Sequence, residues 1–211
     1  NQKILDLCCG HGRHSLELYA RGFRLCTLLD YSESLIHHAR TVAADLGCRL
    51  HFLRADARKV ALASASFDHV LIMGNSLGYI MDPRADQEIL TEAYRLLKPG
   101  GWLLADVTDR EAVQSSINPV YWHEIGDDTV VCRQRQVATD QIKAREMVLS
   151  KKKGLIRDKT YTMRLYDDRS LARLLKSVGF MAVEIHTDFD PHGTQGDYGC
   201  MNNRILAVGR K

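Results

Sequence analysis

The sequence lacks any long apolar run. Its 211 residues contain no stretch of about 18 apolar residues, which is the length that a membrane-spanning helix requires. The first residues, from Asn1 to Gly10, lead straight into a strand-like segment, without the basic and then apolar stretches of a signal sequence. We therefore expect neither a membrane protein nor a secreted one.

Paired cysteine spacing is also missing. The six cysteines stand in apolar surroundings, and no two of them form a Cys-x-x-Cys pair. This pattern predicts neither a disulfide framework nor a zinc site, and it suits a reducing cytoplasm. We interpret them as small hydrophobic residues: Cys8, Cys9, Cys26, Cys48, Cys132 and Cys200.

A strong charge of either sign is absent as well. The 29 basic and 26 acidic residues give a net charge of +3, which by itself indicates neither a nucleic acid nor an anionic membrane as partner. There is no internal repeat and no low-complexity segment. With 45% hydrophobic and 26% charged residues, the composition is typical of one globular domain.

Over its first hundred residues, the sequence alternates short apolar runs with segments whose apolar residues recur at helical spacing. Short apolar runs predict strands at 3–8, 25–30, 50–55, 69–73 and 102–107, and amphipathic segments between them predict helices at 13–21, 34–46 and 84–97. Such an order is typical of a parallel sheet covered by helices. The carboxyl ends of parallel strands then share one edge, where a ligand is expected.

The pattern changes after Val107. Segments 129–138, 144–150 and 159–166 predict antiparallel strands of an inserted β-ribbon, which we place at about 118–166. On its last strand Arg164 and Tyr166 point to the same side, and we interpret both as substrate-binding residues. A helix at 170–178 and strands at 180–186 and 204–209 complete the prediction.

A glycine-rich turn follows the first predicted strand. Gly10-x-Gly12-x-x-Ser15 partly matches a dinucleotide-binding fingerprint, although a tight turn alone would explain it. Asp30 ends the second strand, where a carboxylate can accept hydrogen bonds from ribose hydroxyls. Asp56 follows the third strand, where it can accept one from an adenine amine, and this favours S-adenosylmethionine over NAD.

Five segments in this order resemble the class I S-adenosylmethionine-dependent methyltransferases: ILDLCCGHGRHS, LLDYS, RADAR, SFDHVLIMGNSLGYI and RLLKPGGWLLADV. The resemblance covers essentially the whole chain and implies one methyltransferase domain over residues 1–211. The implied fold is α/β and Rossmann-like, with a seven-stranded, mostly parallel sheet, helices on both faces and the inserted antiparallel β-ribbon. LCCGHGRHSLELYARGF, MGNSLGYI and the insertion before RLYDDRSLARLLKSVGF look most like small-molecule methyltransferases.

The resemblance also implies the cofactor site. S-adenosylmethionine is expected as cofactor, S-adenosylhomocysteine as product, and no metal. Cys8 departs from the family, which usually has glycine there. From the start of the first helix, Arg13 and His14 could reach the cofactor's carboxylate, and the structural alternative for both is solvent exposure. The alternatives for the other residues are a capping role for Asp30 and Asp56 and packing for Tyr31. The residues implied to bind the cofactor are Asp6, Cys8, Gly10, Gly12, Arg13, Asp30, Tyr31, Asp56, Ala57, Met73 and Asn75.

Methyl transfer from a sulfonium is a direct in-line displacement, so alignment of the acceptor matters most. We predict Ser76 as a further substrate-binding residue and Tyr79 as a catalytic residue, with packing as its alternative. His186 and Asp188 are predicted as a catalytic base pair, although the segment 186–192 could also be a polar loop. A metal site there is disfavoured, because Pro191 and Gly193 break the strand.

These observations favour methyl transfer to N or O of a small-molecule acceptor, by a monomer or a homodimer without a membrane partner. Two alternatives remain open: an RNA or protein methyltransferase, and a non-catalytic S-adenosylmethionine-binding partner protein. Nucleic acid is less favoured but not excluded, because segment 143–159 carries most of the positive excess. Since Asn1 stands almost at the first strand, we expect that a covering N-terminal segment is missing here or that the site closes differently.

Overall fold

The computed structural model describes residues 2–190 and 202–211, apart from the side chains of Ser116 and Asp188. Up to the fifth strand its helices and strands alternate, except that β3 is followed directly by β4, and a second sheet comes after them. In chain order they are β1 (Lys3–Leu7), α1 (Arg13–Ala20), β2 (Leu25–Asp30), α2 (Glu33–Asp45), β3 (His51–Arg54), β4 (Phe67–Ile72), α3 (Ala85–Leu96), β5 (Leu97–Thr108), α4 (Arg110–Ser116), β6 (Val120–Ile125), β7 (Thr129–Val137), β8 (Gln141–Ser150), β9 (Gly154–Arg164), α5 (Asp168–Val178), β10 (Met181–Phe189) and β11 (Arg204–Arg210).

The main sheet has seven strands in the order β10-β11-β5-β4-β1-β2-β3. Strands β1 to β5 pair in parallel, whereas β11 is antiparallel to both β5 and β10. The predicted seven-stranded, mostly parallel sheet is therefore confirmed. The carboxyl ends of β1, β2 and β4 lie side by side, which puts the segments that follow these strands at one edge.

Both faces of the main sheet carry helices, because alternate side chains of each buried strand point to opposite sides. On one face Leu5 and Leu7 belong to a core with Leu90 of α3 and Leu171 of α5. On the other face Ile4 and Leu28 pack with Ile36 and Ala39 of α2. Within the described residues, no helix is both long and apolar enough to cross a bilayer.

The insertion forms a separate four-stranded antiparallel sheet in the order β6-β7-β8-β9. It contains the three strands that the sequence predicts and one more, Val120–Ile125, which the prediction missed. One face is buried at Val131, Ile142 and Met163, and the last two pack against Val113 of α4. We call this buried side the inner face of the inserted sheet.

Helix α4 was also missing from the prediction. Its start carries a recognisable signal, because the Asp109 carboxylate accepts a hydrogen bond from the backbone N–H of Glu111 at 2.8 Å, as N-capping residues do. Helix α5 begins with a capping box between Asp167 and Ser170, and it ends at Gly179, which has a φ of 113°. The predicted end of this helix is thus confirmed.

A buried carboxylate joins the two sheets. Asp86, in the first turn of α3, is 1% exposed. One of its oxygens accepts a hydrogen bond from Gly78 N at 2.9 Å, and the other accepts from the Tyr166 hydroxyl at 2.5 Å and from the Arg164 guanidinium. The backbone N–H of Arg164 in turn donates to Gly78 O at 2.9 Å. We call this arrangement the Asp86 clamp.

Glycine is required within the clamp. Gly78 has a φ of 94°, and a Cβ atom there would lie 2.6 Å from the carbonyl oxygen of Arg164. A larger residue would therefore separate the loop after β4 from strand β9.

Replacing Asp86 with alanine should lower the free energy of unfolding by about 3–5 kcal/mol, because it leaves the partly buried Arg164 guanidinium without its carboxylate. Tyr166→Phe, which removes one hydrogen bond, should cost about 1 kcal/mol. Glu88→Ala is the matched control, since Glu88 is an exposed carboxylate in the same helical turn. Its cost should stay below about 1 kcal/mol. Urea unfolding measures the free energy of unfolding of all three variants. Equal decreases for Asp86→Ala and Glu88→Ala would contradict the stabilising role of the Asp86 clamp.

Candidate active site

The turn after β1 runs through left-handed backbone conformations. Cys8, Gly10 and Gly12 have φ values of 65°, 56° and 76°. A Cβ atom on Gly12 would lie 2.6 Å from Leu28 Cδ2, so this glycine lets the turn pack on β2. A Cβ atom on Gly10 would meet nothing within 4 Å. The turn therefore leaves open space above Gly10 while it is tightly packed below Gly12.

A cleft of about 460 Å³ opens at this turn. The segments that follow β1, β2 and β4 form its walls, together with the start of α1. Its lining residues are Cys8, Cys9, Gly10, His11, Arg13, His14, Asp30, Leu35, Met73, Gly74, Ser76 and Tyr79. Seven of them were predicted as site residues, and the sequence had also indicated His14 as a residue that could reach the cofactor's carboxylate. Cys9, His11, Leu35 and Gly74 were not predicted, although position in the same turn could have indicated Cys9 and His11.

Asp30 links the turn to β2. Its Oδ2 accepts a hydrogen bond from Gly10 N at 2.8 Å, and its Oδ1 accepts one from Ser32 N at 2.9 Å. A carboxylate has about four lone-pair positions. Two of them thus remain for further donors, and because Asp30 lines the cleft, this arrangement fits a pair of ribose hydroxyls.

The predicted adenine contacts lie apart from this lining. Asp56 forms a bidentate ion pair with Arg58, whose Nε donates to Oδ1 and whose Nη2 donates to Oδ2, and these hydrogen bonds hold the pKa of Asp56 below its ordinary value. Ala57 is buried, whereas Tyr31 is 72% exposed. Asp56, Ala57 and Tyr31 are not among the residues that line the cleft, so their adenine contacts stay predictions.

Asn75 and Asp6 also lie outside the lining, below its surface. Asn75, with a φ of 67°, accepts a hydrogen bond from Thr108 N at 2.8 Å and contacts the sulfur of Met163 through its amide nitrogen. It thus connects β4, β5 and β9. Asp6 is fully buried; its Oδ2 accepts from the Ser15 hydroxyl at 2.8 Å, and its Oδ1 has no hydrogen-bond partner.

The wall of the cleft that was predicted to face the acceptor follows β4. Ser76 donates a hydrogen bond to the carbonyl oxygen of Met73 at 2.8 Å, which closes the loop on itself. Tyr79 is 47% exposed, and its ring lies 5.8 Å from the ring of Tyr161, on strand β9 of the inserted sheet. The sequence prediction missed Tyr161, although strand alternation places it on the same face as the buried Met163.

Other predicted acceptor-side residues lie elsewhere. The side chains of Arg164 and Tyr166 belong to the Asp86 clamp and are not among the lining residues. His186 is exposed, with Nε2 3.8 Å from the Glu184 carboxylate. The Asp188 side chain and residues 191–201, with His192, lie outside the described residues. In the parts of the chain that the structure describes, no group of three His, Cys, Asp or Glu could hold a metal ion.

Burial sets the protonation states near the turn. It raises the pKa of the Cys8 thiol to about 12 and also raises the pKa of Cys9, so neither supplies a thiolate at neutral pH. Burial raises the pKa of Asp6 to about 6, partly offset by the hydrogen bond from Ser15. Burial and the adjacent Arg13 lower the pKa of His14.

The raised pKa of Asp6 predicts a pH-dependent stability. The contribution of the Asp6 carboxyl to the free energy of unfolding is fully present below the unfolded-state pKa of about 4. This contribution is lost as pH rises through the folded-state pKa of about 6. Between about pH 4 and pH 8, the ligand-free protein should lose up to about 3 kcal/mol through this group. Asp6→Asn should therefore gain stability relative to the wild type over that interval.

Chemical unfolding of both proteins at the two pH values measures this difference. The comparison with Asp6→Asn cancels carboxylates such as Asp56, whose lowered pKa acts in the opposite direction. A stability difference that does not change with pH would contradict the buried carboxyl whose Oδ1 has no hydrogen-bond partner.

Comparison with known proteins finds similarity to methyltransferases. A model described as "Methyltransferase domain" matches residues 4–101. YqeM of Bacillus subtilis (strain 168), named as a methyltransferase, is 27% identical over 191 residues, which are 89% of this chain and 76% of YqeM. The glycine/sarcosine/dimethylglycine N-methyltransferase of Actinopolyspora halophila is 26% identical over 198 residues, which are 89% of this chain and 33% of that protein. The chain spans less than half of several other curated relatives.

Solved structures of other methyltransferases share the fold. The sugar N-methyltransferase KedS8 from Streptoalloteichus superposes with a TM-score of 0.73 at 18% identity, covering all of this chain and 81% of KedS8. The glycine turn, the carboxylate at the end of β2 and the sheet order all fit S-adenosylmethionine as cofactor. The match over residues 4–101, the similarity to YqeM and the shared fold together support a class I S-adenosylmethionine-dependent methyltransferase.

Proposed function

We propose that this methyltransferase transfers the methyl group of S-adenosylmethionine to a nitrogen or oxygen atom of a small-molecule acceptor. The observation that carries the proposal is the contact between Tyr79, which lines the cleft, and Tyr161 on the inner face of the inserted sheet. Through this contact the inserted sheet stands at the acceptor side of the cleft. An acceptor must then fit between the loop after β4 and this sheet, which favours a small molecule.

Relatives that extend over the insertion support this proposal. The Actinopolyspora enzyme, which matches 89% of this chain, is named for glycine, sarcosine and dimethylglycine. KedS8 is named as a sugar N-methyltransferase. Both names describe transfer to nitrogen of a small molecule.

The chain's own groups can bind and align the reactants. The turn at Gly10 and the carboxylate of Asp30 would hold the cofactor, and Arg13 at the start of α1 would face its carboxylate. S-adenosylmethionine, when bound, supplies a methyl group on a positively charged sulfur. The rings of Tyr79 and Tyr161 would bound the acceptor and stabilise a cationic one. Positioning of this kind is the main contribution that an in-line displacement needs.

The basic segment of the insertion offers less support for an RNA acceptor. Its strand cations are divided between the two faces of the inserted sheet, because Lys143 and Arg145 lie on one face of β8 and Arg157 and Lys159 lie on the opposite face of β9. Several are also paired: Arg145 with Asp158 at 2.5 Å, Lys151 with Glu124 at 2.8 Å, and Arg157 with Glu146. Both features reduce the positive surface that one nucleic acid strand would contact.

A labelled-methyl assay tests the proposed function. The protein is incubated with methyl-labelled S-adenosylmethionine and with separate metabolite, RNA and protein fractions, and we expect label in the metabolite fraction. Label confined to RNA or protein would overturn the proposal. Tight cofactor binding without transfer to any fraction would favour the non-catalytic partner protein.

The role of Asp30 is tested by a double cycle. Asp30→Ala should weaken binding of S-adenosylhomocysteine by about 1.5–3 kcal/mol, because buried ribose hydroxyls lose their acceptor. A ribose-deoxy analogue should bind the wild type more weakly than S-adenosylhomocysteine does, but it should bind the Asp30→Ala variant nearly as well as S-adenosylhomocysteine. Calorimetry measures the four affinities, with the exposed Glu33→Ala as control. If the analogue binds more weakly than S-adenosylhomocysteine by the same factor in the wild type and in Asp30→Ala, Asp30 acts only on the conformation of the turn.

The same proposal extends to location and assembly. The described cysteines, Cys8, Cys9, Cys26, Cys48 and Cys132, are all free thiols, which suits a reducing cytoplasm. We propose that the protein acts there as a monomer or homodimer.

A further inference from the structure

His14 lies on the side of the cleft where the acceptor would bind. It lines the cleft together with Ser76 and Tyr79. The charges that act on it identify its position further, because they include Asp106 at the end of β5 and Arg204 at the start of β11. In the sheet order, β5 and β11 lie on one side of β1 and β2 lies on the other. His14 is therefore separated by the turn from Asp30, where the ribose would be held.

Other titratable groups of the lining are less suited to take a proton from the acceptor. The thiols of Cys8 and Cys9 have raised pKa values, and the oxygens of Asp30 bond to backbone amides. His11 is exposed, and its ring lies 5.2 Å from the ring of His38 on α2, which follows β2. Among these groups His14 combines a basic nitrogen with a place on the acceptor side.

The surroundings of His14 keep its ring uncharged at neutral pH. Burial lowers its pKa below the ordinary 6.5, and Arg13 beside it on α1 lowers it further. From the strands that face it, Asp106 raises the pKa and Arg204 lowers it. Asp106 and Arg204 also pair with each other at 2.9 Å, so the carboxylate's effect on the ring is largely balanced. A neutral imidazole can accept a proton.

We propose that His14 is the base that accepts the proton of the acceptor nitrogen or oxygen during methyl transfer, an inference that rests on the proposed function. The acceptor's lone pair forms the new bond to the methyl carbon, and the pair of the broken C–S bond remains on sulfur, which becomes neutral. The N–H or O–H proton of the acceptor passes to a ring nitrogen of His14 and then to solvent.

This assignment differs from the sequence prediction of His186 as base. His186 is 57% exposed on its side chain, lies near Glu184 and is not among the residues that line the cleft. His14 stands one position after Arg13 in the first turn of α1, so the same glycine turn that would bind the cofactor positions it.

The test compares His14→Gln with the wild type and with His37→Gln, an exposed histidine of α2. The probes are glycine, sarcosine and an aminosugar, together with any acceptor that the labelled-methyl assay identifies. His14→Gln should lower kcat by about 100-fold or more, with nearly unchanged S-adenosylhomocysteine affinity by calorimetry. The acid limb of the wild-type pH profile, with an apparent pKa below 6.5, should disappear in His14→Gln. His37→Gln should match the wild type.

Each outcome has one interpretation. If the wild type labels none of the probes or fractions, the proposed function fails. If the wild type transfers methyl and His14→Gln keeps its kcat and acid limb, the inference about His14 is overturned while the proposed function stands. A parallel loss of S-adenosylhomocysteine affinity would assign His14 to the cofactor instead.

An NMR titration adds a measurement that needs no acceptor. In the S-adenosylhomocysteine-saturated protein, the ring signal absent from His14→Gln should titrate below 6.5. A pKa above about 7 would leave the ring charged at neutral pH and would also overturn the inference.

Discussion

The shape of the active site depends on one buried carboxylate. Asp86 bonds to the backbone of Gly78, to Tyr166 and to Arg164, and so joins helix α3, the loop after β4 and the end of the inserted sheet. Tyr79 follows Gly78 directly and meets Tyr161 of that sheet. Because a buried charge without its partners is costly, these segments have little freedom to separate. The position of Tyr79 in the wall of the cleft therefore depends on Asp86, which does not itself line the cleft.

On the predicted cofactor side, the Asp30 carboxylate both stabilises the turn and offers acceptors for a ligand. Asp30 accepts a hydrogen bond from Gly10 N and thereby stabilises the left-handed turn, yet its remaining lone pairs are the acceptors that ribose hydroxyls would need. Cys8 takes a positive φ that favours glycine, so the turn stores some backbone strain. A ligand that bonds to this turn would reinforce contacts that the fold already needs.

Sequence reasoning succeeded where the signal is local. Apolar runs separated by helical periods predicted the strands of the main sheet, and Gly179 predicted the end of α5. It failed for β6, whose apolar residues occur on both sides of the strand and leave Val120 and Trp122 exposed. The alternation of side chains along a strand predicted the face of β9 on which Arg164 lies. It could not predict the partner of Arg164, because Asp86 lies 78 residues away in the chain. The clamp could be recognised only from the folded chain.

The charge distribution of the cleft follows from the chemistry of sulfonium methyl transfer. Positive charge on sulfur disperses as the methyl group leaves, so a carboxylate close to the methyl group would stabilise the reactants more than the transition state. Asp30 ends β2, and Asp6 lies below the turn behind Ser15, so both act on the cofactor side. Toward β4 the cleft is lined by the phenol of Tyr79, the hydroxyl of Ser76 and the imidazole of His14, whose pKa is lowered by burial. Asp106 of β5 acts on His14 as well, but its carboxylate is paired with Arg204 at 2.9 Å. In the proposed function the carboxylates Asp30 and Asp6 would thus serve the cofactor, and uncharged side chains would face the acceptor.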